Sequence, residues 1–146
     1  MTLPLVSRRA MDALQSRMDE TNQEYANYRK RNAEISRTAG DEGCCSALRE
    51  MLTVYDNLSR ALGQPCEDEA FLEGIRLTMR SLEQAFGRLE VEEIPAEGEK
   101  FDPMLHEAMD HVTDEALAEN TVKTVVLKGF RRKDTVLRHA LVIVAN

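Results

Sequence analysis

Between Met11 and Ala39, mostly apolar side chains recur at alternating intervals of three and four residues. The series is Met11, Leu14, Met18, Thr21, Tyr25, Tyr28, Asn32, Ile35 and Ala39. This is the heptad pattern of a helix that lies against another helix, and no Pro or Gly interrupts it. At 1.5 Å per residue this helix would be about 44 Å long, which is more than one small core can cover. The pattern therefore predicts that two copies of the chain pair in parallel along it.

The predicted seam contains several polar residues. With Met11 at an a position, Asn32 also falls at a and Thr21 at d, and both stabilise a coiled coil less than Ile or Leu would. An a-position Asn can bond to its symmetry mate, however, and thereby set the register of two strands. Glu24 at g and Arg29 at e are spaced to meet between the two chains. The alternative is a single amphipathic helix that packs on its own domain.

A second amphipathic segment follows the long helix. Gly40 and Gly43 predict a break or hinge, because each glycine inside a helix costs about 1 kcal/mol. Residues 44–62 then carry one apolar stripe at helical spacing, and the sequence Gly63-Gln64-Pro65 is a stop signal. The stripe consists of Cys45, Leu48, Leu52, Tyr55, Leu58 and Leu62.

Asp68 is a candidate N-cap for a third helix over residues 69–89. Its stripe consists of Phe71, Ile75, Met79, Leu82, Phe86 and Leu89. Gly74 lies inside this helix, which predicts close packing or a hinge there. Two helices of this length form an antiparallel hairpin, and the hairpins of two chains would close into a four-helix bundle.

From Val91 onward the pattern changes from helical spacing to β-branched, partly alternating residues. Val91 and Ile94 indicate a short strand, residues 104–112 fit either a strand or a short helix, and residues 121–130 and 135–145 are the clearest strands. The sequence thus predicts an α+β protein with three parts: a dimerisation helix (1–43), a helical hairpin (44–90) and a small, mainly β domain (91–146).

Composition narrows the possible functions. The chain of 146 residues is 42% hydrophobic but only 5% aromatic, and it carries a net charge of −7. A negative charge disfavours nucleic acid as a partner, and the basic cluster at residues 29–31 is too short to change that. No window resembles a membrane span or a secretory signal. The three cysteines have no disulfide or zinc spacing, which indicates reduced thiols in a cytoplasmic protein.

The sequence predicts no enzyme. His106 and His111 are five residues apart, a spacing that aligns on neither a helix face nor one side of a strand, and no further ligand completes a metal site. Neither a phosphate-binding glycine loop nor a nucleophile motif is present. We therefore expect no catalytic residue, no metal and no cofactor.

Several short motifs occur in a characteristic order. They are Tyr28-Arg29-Lys30-Arg31, Asp56-Asn57-Leu58-Ser59-Arg60-Ala61-Leu62, Phe101-Asp102-Pro103 with His106-Glu107-Ala108, Lys128-Gly129-Phe130, and Val136-Leu137-Arg138. Together they resemble the GrpE family, the nucleotide exchange factors of DnaK-type heat-shock chaperones. The resemblance implies a homodimer with long paired helices, a four-helix bundle and a β-wing on each subunit. A wing binds the ATPase domain of the chaperone and opens its nucleotide cleft, so that ADP leaves.

The resemblance also assigns residues. It implies that Arg29 and Arg60 face the chaperone from the helices, that Phe101, Asp102 and Pro103 contact it from a loop, and that Val126 and Val144 contact it from the wing. The expected dimer interface consists of Leu14, Met18, Tyr25, Tyr28, Asn32, Ile35, Leu52, Tyr55, Leu58, Ile75, Met79 and Leu82. The alternative function is a coiled-coil dimeric scaffold whose β domain binds an unrelated protein.

Overall fold

A computed structural model describes residues 7–114 and 116–145. Two helices, α1 (Arg8–Leu62) and α2 (Glu69–Arg88), precede the strands. The strands are β1 (Val91–Glu93), β2 (His106–Val112), β3 (Thr121–Leu127), β4 (Phe130–Arg132), β5 (Thr135–Arg138) and β6 (Ala140–Ala145). This architecture confirms the predicted α+β class. The chain divides into two compact units, Met1–Cys44 and Cys45–Asn146.

The described part of the first unit is the N-terminal portion of α1. The apolar side chains of the predicted seam are open to solvent within the single chain: Leu14, Tyr25 and Ile35 are each 60% exposed. A row of exposed apolar side chains on one helix face is an unusual feature of a soluble surface. The seam is therefore available for a partner helix, and the pairing itself stays a prediction.

The predicted break at Gly40 and Gly43 is wrong, because α1 runs through both glycines as one helix. Each glycine costs about 1 kcal/mol, but a break would leave the last carbonyls of one helix and the first N–H groups of the next without partners. The continuous helix therefore has the lower free energy. A Cβ atom at either position would meet nothing within 4 Å, so packing in this chain does not require these glycines.

The start of α2 is as predicted. Asp68 has extended dihedral angles (φ −86°, ψ 93°), and its carboxylate accepts a hydrogen bond from the Phe71 N–H at 3.0 Å. This satisfies one of the free donors at the helix start. Gly74 is not closely packed within the chain, since an added Cβ would meet nothing within 4 Å. The predicted reason for this glycine thus finds no support inside one subunit.

The core of the second unit joins both helices to β4. The ring of Tyr55 lies 4.9 Å from that of Phe130 and 6.2 Å from that of Phe86, and Phe86 and Phe130 are 5.9 Å apart (centroid distances). These three rings, called here the aromatic cluster, come from α1, α2 and β4. They fix the helical hairpin to the β domain.

The aromatic cluster corrects part of the predicted dimer interface. Leu52, Tyr55 and Met79 are only 2%, 3% and 8% exposed within one chain, so they belong to its own core. An apolar stripe on a helix indicates that another surface covers it, but it does not indicate whether that surface belongs to the same chain or to a second copy. Leu58, Ile75 and Leu82 are half-buried and still offer some apolar surface.

In the β domain, the described residues 91–114 and 116–145 form two three-stranded sheets with strand orders β1-β4-β5 and β2-β6-β3. The central strand β6 pairs parallel with β2 and antiparallel with β3. Its inward side chains Ala140, Val142 and Val144 are all 0% exposed. The ambiguous segment at residues 104–112 is thus resolved as the strand β2.

The two long strands expected at residues 121–130 and 135–145 are each divided into two. The first changes sheets at Lys128-Gly129, between β3 and β4, and the second at His139, between β5 and β6. The two crossings lie against each other, since a Cβ atom on Gly129 would be 2.4 Å from the Ala140 nitrogen. The apolar pattern of the sequence does not show where a segment crosses from one sheet to the other, because the residues on both sides of the crossing form β-strands.

Candidate functional site

A groove of about 460 Å³ is lined by the last turns of α1 and by β3. We call it the helix–strand groove. Its lining residues are Tyr55, Asp56, Ser59 and Arg60 from α1, Val125, Val126 and Leu127 from β3, and also Glu97 and Lys128. Arg60 is exposed, and Val126 is 47% exposed. Two of the predicted contact residues, which are distant in sequence, therefore line the same groove.

One wall of the groove is held by an ion pair. Both oxygens of the Asp56 carboxylate accept hydrogen bonds from the Arg138 guanidinium, at 2.6 and 2.9 Å. Their side chains are only 18% and 24% exposed, so water screens this pair less than it screens exposed pairs such as Lys128–Glu93 and Arg131–Glu92. Arg138 also donates to the Lys128 carbonyl at 2.7 and 3.1 Å.

The groove is also lined by a charged group, the ammonium of Lys128. The Lys128 ammonium lies 2.9 Å from the Glu93 carboxylate and contacts the Tyr55 phenol. Burial alone would lower the pKa of Lys128, but Glu93 and Tyr55 outweigh it and the pKa is raised. Burial raises the pKa of Tyr55, which Lys128 offsets only in part. At neutral pH the groove therefore presents a charged lysine beside a neutral phenol.

Local hydrogen bonds hold the loop at Phe101-Asp102-Pro103. The Asp102 carboxylate accepts from the Met104 N–H at 2.9 Å, and the Asp102 carbonyl accepts from the His106 N–H at 2.7 Å. Phe101 packs against the core of the sheet that contains β6. Pro103 is exposed and Asp102 is half-buried, so this loop offers a small, ordered surface.

His106 has a structural role in this loop. Its ring is 4% exposed, its Nδ1 accepts from the Asp102 N–H at 3.1 Å, and its Nε2 lies 2.9 Å from the Pro95 carbonyl. Because Nδ1 accepts, the proton belongs on Nε2, which donates to Pro95. The histidine thus joins the two ends of the segment between β1 and β2, a role that residue spacing did not suggest.

The predicted contact role of Val144 needs correction. Its side chain is 0% exposed at the centre of the β domain, where no partner can touch it without unfolding β6. The error arises because alternate residues of one strand point to opposite faces, and β6 is covered on the face that carries Val144. Arg29 is exposed on α1, in the first unit.

Sequence reasoning missed Asp56, Lys128 and Arg138. Each stands inside one of the short motifs quoted above, and the motifs contain opposite charges far apart in the chain. That combination is the signal that could have suggested an ion pair. Pattern alone could not select Arg138 on β5 over Arg131 and Arg132 on β4, because the choice depends on which strand lies against α1 and on the direction of its side chains.

Within residues 7–114 and 116–145, no group of three or more His, Cys, Asp or Glu side chains is placed to hold a metal ion. In the same part of the chain, no helix combines the length and the apolar character that a membrane span needs.

Comparison with known proteins gives a consistent result. The sequence pattern that defines the GrpE family matches residues 6–146. The chain is 40% identical over 136 residues to Protein GrpE of Clostridium acetobutylicum, which covers 93% of this chain and 68% of the relative. It is 41% identical over 123 residues to Protein GrpE of Clostridium beijerinckii, covering 84% and 59%. Against Protein GrpE of Halorhodospira halophila it is 40% identical over 128 residues, covering 84% and 53%.

Proposed function

Because the chain belongs to the GrpE family, we propose that it is a cytosolic cochaperone and nucleotide exchange factor. In this proposal it binds the ATPase domain of a DnaK-type chaperone, opens the nucleotide cleft and accelerates the release of ADP. It forms no covalent bond. The physical basis is linkage: a partner that binds the open cleft more tightly than the closed one must weaken ADP binding by the same factor.

The observation that carries the proposal is the meeting of Arg60 and Val126 in the helix–strand groove. The family resemblance implies a chaperone contact for both residues. Interface centres are enriched in arginine and are more apolar than the rim, and this groove combines an exposed arginine with an exposed valine. Two elements that present such residues side by side provide a contact surface that neither would provide alone.

We expect the wild-type protein to accelerate the release of labelled ADP from the chaperone in the presence of excess ATP. Arg60→Ala and Val126→Ser should each raise the concentration needed for half-maximal acceleration by about 5–30-fold, as expected for central interface residues. The measurement is the rate of ADP release against cochaperone concentration.

Arg80→Ala is the matched control for Arg60→Ala. Arg80 is also an exposed arginine on a helix, but it does not line the groove, so its loss should leave the concentration dependence unchanged. Failure of the folded wild-type protein to accelerate ADP release would refute the proposed function. The remaining explanation would then be the dimeric scaffold.

We propose that the active form is a dimer with two contact regions. The first is the exposed seam of α1. The second replaces the buried part of the predicted interface: Met51 and Val54 on α1 are 41% and 50% exposed, and Phe71 on α2 is 59% exposed. Met51, Val54 and Leu58 form their own stripe at helical spacing, separate from the stripe that packs inside the chain. A second copy that covers this stripe would complete a four-helix bundle.

Ile35→Asp is expected to weaken the dimer by at least about tenfold, because it places two like charges in an apolar seam. The measurement is the dissociation constant from sedimentation equilibrium. Ala33→Asp adds the same charge to the outer face of the same helix and should have little effect. Equal dissociation constants for the two variants would show that the seam does not pair through Ile35.

A further inference from the structure

The attachment of β5 to α1 contains two polar ties. The Arg49 Nε donates to the Leu137 carbonyl at 3.2 Å, and Asp56 accepts both hydrogen bonds from Arg138. Arg49 and Asp56 are two helical turns apart on α1, while Leu137 and Arg138 are adjacent in β5. The strand is therefore held to the helix at two neighbouring points.

Arg138 connects more than two elements. Its guanidinium binds Asp56 on α1 and the carbonyl of Lys128, which directly follows β3. Its central carbon also lies 5.9 Å from the centroid of the Phe130 ring. A planar guanidinium that bonds to a carboxylate and a carbonyl at once fixes both in direction as well as in distance. Lysine could not replace this geometry.

These contacts bear directly on the helix–strand groove. Asp56 precedes Arg60 by one helical turn, and Lys128 follows Val126 by two residues. Arg138 therefore holds together the Asp56 carboxylate and the Lys128 carbonyl, each of which is close in sequence to one of these two groove residues. Arg138 itself does not line the groove.

We propose that Arg138 is a positioning residue for nucleotide exchange. It keeps the helical and strand sides of the groove at the separation that lets Arg60 and Val126 engage the chaperone together. Without this tie the two sides move independently, and ordering them consumes part of the binding energy. The proposal rests on the proposed exchange function, and its structural half can be tested without the chaperone.

The test compares Arg138→Gln with Arg131→Gln. Arg131 makes an exposed ion pair with Glu92 at 3.0 Å on neighbouring strands, and it contacts no groove residue in the described pairs. We expect Arg138→Gln to raise the half-maximal concentration for ADP release by about tenfold, as the loss of charged, partly buried hydrogen bonds implies. It should also lower the maximal acceleration. Arg131→Gln should change neither value.

Amide hydrogen exchange of the free protein supplies the second readout. Arg138→Gln should speed exchange in β3 and at Lys128-Gly129 while the helical circular dichroism stays that of the wild type. Asp56→Asn should reproduce both effects, and the double variant should be no worse than either single one, because all three break the same tie.

The outcomes separate the two proposals. If Arg138→Gln supports exchange as well as the wild type, Arg138 does not position the groove. If it impairs ADP release but leaves hydrogen exchange in β3 unaltered, Arg138 acts in some other way and the inference is overturned. If the wild type itself does not accelerate ADP release, the exchange function fails, and the hydrogen-exchange result still decides whether Arg138 holds the groove together.

Discussion

Replacing Gly129 by alanine is expected to lower the free energy of unfolding by about 2–4 kcal/mol, at the upper end of overpacking effects. The new Cβ would lie 2.4 Å from the Ala140 nitrogen, 2.8 Å from its Cα and 2.9 Å from its Cβ. These atoms cannot move aside easily, because Ala140 is fully buried and its N–H donates to the Leu105 carbonyl at 3.0 Å. Urea unfolding followed by circular dichroism measures the loss.

Gly87→Ala is the matched control. Gly87 lies inside α2, and an added Cβ would meet nothing within 4 Å. Because alanine favours a helix over glycine, this variant should be as stable as the wild type or up to about 1 kcal/mol more stable. Unaltered stability of Gly129→Ala would mean that the two sheet crossings do not approach each other as closely as the structure shows.

Phe130→Ala is expected to cost about 3–5 kcal/mol, the range for removing a buried aromatic ring. Phe130 is 4% exposed and contacts both other rings of the aromatic cluster. The cavity would be bordered by α1, α2 and β4, so no single element could shift to fill it. The measurement is again the free energy of unfolding in urea, with the near-ultraviolet tyrosine signal as a second probe; Tyr55 is buried, whereas the other two tyrosines, Tyr25 and Tyr28, are exposed.

Met104→Ala tests whether that cost comes from burial. Met104 is a large apolar residue of the same β domain but is 74% exposed, so its truncation should change stability by no more than about 0.5 kcal/mol. Similar losses for both variants would contradict the role assigned to the aromatic cluster. A small effect for Phe130→Ala alone would show that α1, α2 and β4 are held together mainly by other contacts.

The groove shows how far sequence reasoning reaches. Resemblance to the family pointed to Arg60 and Val126 as contact residues, and both are exposed in one groove. The same reasoning selected Val144, which is fully buried. A motif identifies a position but not the direction of its side chain, and in a strand covered on one face that direction decides whether a residue supports the surface or belongs to it.

Helical periodicity was similarly informative and similarly limited. The spacing of Cys45 to Tyr55 predicts an apolar stripe, but its members Leu52 and Tyr55 lie in the chain's own core and not in the expected dimer interface. A second stripe at Met51 and Val54 went unnoticed because it is shorter and lies beside the first. Gly40 and Gly43 misled for a different reason: local propensity is a small term, and the continuous hydrogen-bond ladder of a long helix outweighs it.

The sequence by itself determined the α+β class, the heptad pattern in the N-terminal portion of α1, the cap at Asp68, the end of α1 and the family. These features depend on local spacing, local capping chemistry or short motifs, all of which can be identified directly in the sequence. Only the tertiary structure decided that the β segments change sheets at Lys128-Gly129 and at His139, that Arg138 pairs with Asp56, and that Arg60 and Val126 line one groove. Each of these features joins residues that are far apart in sequence. Several residues have the same local preference, and which of them makes the contact depends on the direction in which its strand faces the neighbouring elements.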